Sequence, residues 1–244
     1  MPKILSKFDV ISLSLFLLAC VVLSTYLMNR YTPQILKEAL PEASDIVKAG
    51  LKAPQSSQQT VVFAGGCFWG VQLVFQHTEG VISAVSGYAG GKAQDAIYSM
   101  VSTGGSAHAE AVQVTYDPAQ ISYAQLLQVY FTVAHDPTQR NAQYPDDGPQ
   151  YRSAIFFTSD DGEFQKHFAE RYIAQIDSVQ VFSKPIATVL TPLRDSGFYP
   201  AEAEHQNFAL RNPSHSYIAQ FDTPKLEVFK RLLPALYRDV PVLH

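Results

Sequence analysis

Apolar positions run unbroken from Val61 to Ala64, stop at the pair Gly65-Gly66, and resume at helical spacing in Phe68-Trp69-Gly70-Val71-Gln72-Leu73-Val74-Phe75. An uninterrupted apolar tetrad reads as a strand covered on both faces, and the glycines permit a tight turn into the helix that follows. The same reading predicts strands over residues 61–64, 81–85, 109–116, 153–158 and 187–190, and helices over 68–76, 123–133, 162–176, 201–210 and 225–237. Asp117-Pro118 and Asp136-Pro137 mark element ends, because a residue before proline is driven out of the helical region. Strands and helices alternate without an internal repeat, which makes residues 60–244 one α+β domain.

Residues 1–59 follow another pattern. Positions 10–28 are uncharged and mostly apolar, long enough to cross a hydrocarbon core of about 30 Å as a helix. Residues 1–30 are therefore expected to be an N-terminal membrane anchor or signal sequence. Lys3 and Lys7 precede the run, which favours a cytoplasmic N-terminus and a domain exported to the periplasmic side; Asp9 and Arg30 weaken that bias. Leu17-Leu18-Ala19-Cys20 also fits a bacterial lipoprotein site acylated at Cys20, and cleavage to a soluble domain is the remaining alternative. Against both, the apolar run continues past Cys20 to Met28, whereas a signal peptide's apolar core ends near its cleavage site. Residues 31–59 are polar with scattered prolines and read as a linker, with at most a short helix interrupted at Pro41.

Composition narrows the function classes. Hydrophobic residues make up 47% and aromatics 12%, enough for one sizeable core. With 18 basic and 22 acidic residues, net −4, the chain offers no basic patch for nucleic acid. His108-Ala109-Glu110 fits the H-x-E of zinc deaminases, but no Pro-Cys-x-x-Cys follows and the histidines show no H-x-x-x-H spacing, so no metal site is predicted. His108 and His205 are expected to be structural supports.

Cys67 is the only cysteine outside the N-terminal segment. It is either a reactive thiol or a buried structural one. At the start of a predicted helix, free N–H groups and the helix dipole would favour its thiolate and lower its pKa from about 8.5. Glu110 opens a half-buried strand, where it is either a solvated strand-end residue or a desolvated carboxyl with a raised pKa, able to give up a proton.

Gly66-Cys67-Phe68-Trp69-Gly70 is followed in order by Gly87-Tyr88-Ala89-Gly90-Gly91, Tyr98, His108-Ala109-Glu110, His135-Asp136-Pro137, Asp146 to Gly148, Gln150 to Ile155, Ala201-Glu202 and His205-Gln206. With these segments in register, the chain from about Val61 to about Leu232 resembles the peptide methionine sulfoxide reductase A family, one-cysteine type. The resemblance implies a two-layer sandwich with a ferredoxin-like sheet. It also implies a monomeric protein-repair enzyme without a bound cofactor that reduces free and protein-bound methionine sulfoxide, at the S epimer. In its terms Cys67 attacks the sulfoxide sulfur and Glu110 protonates the oxygen. Tyr98 and Tyr151 donate hydrogen bonds to that oxygen, Asp146 holds a water or the substrate backbone, and Phe68 and Trp69 line the pocket for the methyl group.

Departures from the family pattern matter as well. No cysteine follows Cys67, so the sulfenic acid left on it must be reduced by an external thiol, either a thioredoxin-like protein or a small molecule. Gln72 stands where glutamate is common, Ser106-Ala107 where Thr-Gly is usual, and Glu204 where tyrosine often precedes the His-Gln pair. Two rival readings stay open on the residues alone: a cysteine hydrolase with a histidine base, and a redox sensor whose output is the sulfenic acid.

Overall fold

In the computed structural model the chain divides into two compact units, residues 1–32 and 33–244. The structure describes residues 36–51, 56–157, 162–193 and 197–243, together with Leu15, Phe16 and Leu18. Apart from those three, the run expected to form an anchor, with Cys20, lies outside the described residues. Among the described residues no helix is long and apolar enough to cross a membrane.

The second unit begins with a one-turn helix, α1 (Asp45–Lys48), and then strand β1 (Gln59–Ala64), helix α2 (Phe68–Gln76), β2 (Val81–Ala89) and α3 (Tyr98–Val101). Next come β3 (Ala109–Tyr116), α4 (Tyr123–Val129, continued by a π-turn over Tyr130–Ala134), and a small hairpin of β4 (Ala142–Gln143) and β5 (Asp146–Asp147). The chain ends with β6 (Ala154–Phe157), α5 (Gly162–Ser178), β7 (Val189–Pro192), β8 (Phe198–Pro200), α6 (Phe208–Arg211) and α7 (Thr223–Leu232).

Six strands form one sheet in the order β7-β6-β1-β3-β2-β8, antiparallel at every pairing except β6 with β7. The inner four strands with α2 and α4 make the βαββαβ unit of a ferredoxin-like sheet. Burial explains the apolar run in β1. Val61 and Phe63 enter the core beneath the helices, where Phe63 stacks on Phe75 at 4.9 Å and on Tyr130 at 4.7 Å, while Val62 and Ala64 pack with Ala109, Ala111 and Ala154 on the opposite face. By the same alternation, Glu110 lies on the helix-side face of β3 with Val112 and Val114.

Three expectations need correction. Residues 201–210 are not a helix: the chain turns until α6 begins at Phe208, held by Gln206, whose amide donates to Ser86 O at 2.8 Å and Ala201 O at 3.0 Å, and by left-handed Asn207 (φ 53°). The helix expected over 225–237 stops at Leu232, because Pro234 cannot continue it. Residues 36–51 are not a free linker: Leu36, Leu40 and Ala43 are buried in the main core, and Leu40 O accepts from Gln128 Nε2 at 2.6 Å. Since Leu40 is 1% exposed, Leu40→Ala is expected to lower unfolding stability by about 2–5 kcal/mol, read from denaturant melts.

Candidate active site

The turn from β1 into α2 sets the sulfur. Gly66, with φ +93°, makes a bend open to glycine, and a Cβ there would meet the Gln143 side chain at 2.6 Å. Cys67 is then the N-cap of α2, half-buried, with no capping hydrogen bond from its side chain, although the nearby Trp69 N–H favours its thiolate. From the adjoining strand, Glu110 presents its carboxyl to the same helix end. Its Oε2 accepts the Phe68 N–H at 3.0 Å, and the carboxyl lies close enough to the Cys67 sulfur for each group to act on the other's protonation.

Burial decides the protonation of both groups. Glu110 is 2% exposed, and loss of water pushes its pKa up to about 8, against the pull of the Phe68 N–H and with a further push from Asp146. The Cys67 thiol is held well above its ordinary range, first by burial, then by the negative charge of Glu110 and Asp222. This overturns the expectation of a lowered thiol pKa. The helix terminus does act, through the Trp69 N–H, but buried carboxyl groups outweigh it. The resting pair is a thiol beside a carboxyl that is still mostly protonated at neutral pH.

The other predicted site residues gather here. Tyr98 and Tyr151 lie within electrostatic reach of Cys67 and Glu110, and burial, then the Glu110 charge, raises both phenols, so they remain donors. Tyr98 is set by Glu202, which accepts the Tyr98 N–H at 2.9 Å and the Tyr88 hydroxyl at 2.7 Å. Phe68 and Trp69 pack around His205, at centroid distances of 5.4 and 6.0 Å, and Tyr98 lies 4.3 Å from the same ring. Trp69 also stacks on Phe208 at 3.8 Å. Asp146 accepts a hydrogen bond from Tyr217, and burial raises its pKa.

Four residues without a predicted role contribute. Tyr217 and Glu202 orient site residues, whereas Asp222 and Lys225 form an ion pair of 3.0 Å that sits over Gly70 in the first turn of α2. A Cβ on Gly70 would lie 2.0 Å from Asp222 Oδ1, so the pair needs glycine beneath it. Gln72, the departure from glutamate, has a physical account. Its amide donates to Ala84 O at 2.9 Å and Gln206 Oε1 at 3.1 Å, and its oxygen accepts the Asn207 N–H, a set that needs both donor and acceptor.

The histidines are structural. His108, fully buried, accepts the Gly91 N–H at Nδ1 and donates from Nε2 to Lys92 O at 2.9 Å. His135 donates from Nδ1 to Tyr130 O and accepts the Ser153 hydroxyl at 2.7 Å; burial lowers its pKa to about 4. Because the unfolded ring takes up a proton near pH 6.5 and the folded one does not, this site removes stability as pH falls from about 6.5 to about 4, by up to about 3 kcal/mol. Stability of His135→Gln is expected to fall less over that window in denaturant melts.

Comparison with known proteins shows the family. The profile of the peptide methionine sulfoxide reductase family matches residues 59–234. The chain belongs to this family. Peptide methionine sulfoxide reductase MsrA 2 of Mesorhizobium japonicum is 53% identical over 185 residues, 76% of this chain and 92% of its own. MsrA 2 of Synechocystis sp. is 47% identical over 173 residues, 71% of this chain and 78% of its own. Among solved structures, methionine sulfoxide reductase A of Corynebacterium diphtheriae superposes with a TM-score of 0.56 at 30% identity, covering 76% of this chain and 88% of that one. The family's matched span includes β1 to α7, and with them every site residue described above.

Proposed function

We propose that this chain reduces methionine sulfoxide, free and in proteins, to methionine, acting on the S epimer. The observation that carries the reading is the Cys67 thiol at the helix end where Glu110, a buried carboxyl with a pKa near 8, accepts the Phe68 N–H, beside an aromatic wall of Phe68, Trp69 and Tyr98.

The chemistry follows from that pair. As the Cys67 sulfur bonds to the sulfoxide sulfur, its proton passes to the carboxyl beside it, while the acid's own proton passes to the sulfoxide oxygen. Tyr98 and Tyr151, kept protonated, stabilise charge on that oxygen. The substrate's S–O bond then breaks, the hydroxyl ends on Cys67 as sulfenic acid, and methionine leaves. Two external thiols restore the enzyme, since no second cysteine of the domain is there to do so.

In single turnover without added thiol, about one methionine per enzyme is expected, from one epimer only. No methionine from either epimer would overturn the reading. An anchored, exported placement is proposed as well, supported by the uncharged run 10–28 and the lysines before it, with acylation at Cys20 or cleavage as alternatives. Reporter fusions after Arg30 that are active only in the cytoplasm would overturn it.

A further inference from the structure

Cys67 also forms part of the wall of a cavity of about 230 Å³, lined in addition by Leu36, Tyr144, Phe221, Asp222 and Lys225. It shares Cys67 and Tyr217 with the site described above, while Phe68, Trp69, Tyr98, Glu110 and Tyr151 are not among its lining residues. Its walls combine apolar side chains with polar ones, among them Gln143, Asp222 and Lys225. Asp222 is 1% exposed; its Oδ1 accepts from Lys225, but its Oδ2 has no hydrogen-bond partner among the described residues. A buried carboxylate oxygen left unmet is costly, and a donor arriving with a ligand would relieve it.

We propose that this cavity receives the external reductant, and that Asp222 Oδ2 selects a small thiol bearing a primary ammonium group. The inference rests on the sulfenic-acid route proposed above. That route places an oxidised sulfur at Cys67 and leaves the domain without a second cysteine, so a foreign thiol must reach the same atom. The cavity is lined by Cys67, its size suits a small molecule, and its unmet acceptor suits a cationic donor. The incoming sulfur attacks the Cys67 sulfur, the S–S bond forms, the S–OH bond breaks, and hydroxide leaves as water with the proton that the thiol gives up. A second thiol then cleaves the mixed disulfide, returning Cys67 as a thiol and releasing the oxidised reductant as its own disulfide.

The test loads the full chain with one equivalent of sulfoxide, measures the methionine burst, and then follows loss of the sulfenic acid on mixing with cysteamine, 2-mercaptoethanol or 3-mercaptopropionate. In Asp222→Asn the rate ratio of cysteamine to 2-mercaptoethanol, read on the sulfenic acid that the burst leaves, should fall about tenfold, the worth of one charge-assisted hydrogen bond. Comparing ratios between variants cancels the intrinsic reactivity of each thiol. Val228→Trp, which fills the cavity from a half-exposed position on α7, should slow all three thiols with the burst amplitude retained. An unchanged ratio in Asp222→Asn overturns the proposal, as does unchanged decay with every thiol in Val228→Trp if the first variant fails to fold. A defect confined to the burst with a peptide sulfoxide also overturns it and gives the cavity to the substrate. Absence of a burst in the parent chain defeats the reductase reading instead.

Discussion

Glu110→Gln is expected to slow the methionine burst by about a hundredfold or more, the usual worth of a positioned general acid. The amide retains an oxygen for the Phe68 N–H, so the carboxyl's place in the turn is kept while its transferable proton is lost. In the parent chain the burst rate should fall as pH rises through about 8, because the acid form of Glu110 is depleted there; in the variant that limb should vanish. The variant's stability should move the opposite way to its activity. The folded carboxyl, with a pKa near 8 against 4.5 for its ordinary value, keeps a proton that the unfolded chain releases, so folding loses stability as pH rises from about 4.5 to about 8. The glutamine variant lacks that loss. At pH 8 and above it should be the more stable protein by a few kcal/mol, at roughly 1.4 kcal/mol per pKa unit, even as it is the poorer catalyst. Stopped-flow quantification of methionine across pH 6–10, beside denaturant melts at both ends, checks both signs. A burst that stays within about threefold of the parent would remove Glu110 from the proton path.

How far the chain could be read before folding depends on the range of the forces involved. β3 and α2 begin and end where periodicity places them, because burial on one face is written into local spacing. The reactive turn was legible for the same reason: Val61 to Ala64, two glycines and a helical run describe a strand, a bend and a helix. The 201–207 segment was not, since its shape comes from the Gln206 amide reaching Ser86, a contact set by tertiary position rather than by propensity. The docked segment before β1 was misread because three side chains, Leu36, Leu40 and Ala43, do the packing within a polar, proline-broken stretch. The thiol pKa is set first by burial, which only the fold reveals, and then by charges brought in from afar. A helix dipole is a local property that sequence reveals, whereas Glu110, Asp146 and Asp222 reach Cys67 from three distant parts of the chain. Asp222 had no signal of its own, standing as an ordinary acid just before an amphipathic helix.

Cys67→Ser is expected to abolish methionine formation, by at least about a thousandfold, and to leave the fold as stable as the parent or more so. Both halves follow from where the sulfur sits. Attack on a sulfoxide needs a polarisable nucleophile that can carry the oxygen away as a sulfenic acid and later surrender it to a thiol; a serine oxygen would have to become a peroxide to do the same. Serine nevertheless suits the position as a structural element. Cys67 is the N-cap of α2, where a hydroxyl is among the preferred residues, and the hydroxyl can donate to Glu110 while accepting a helix N–H. The melting temperature should therefore hold or rise, with no peroxide-dependent mass increase at residue 67. If the serine variant formed methionine within about tenfold of the parent, the nucleophile would lie elsewhere. If it instead unfolded, the thiol's place beside Trp69 and Glu110 would be structural, and the helix start would depend on sulfur for more than chemistry.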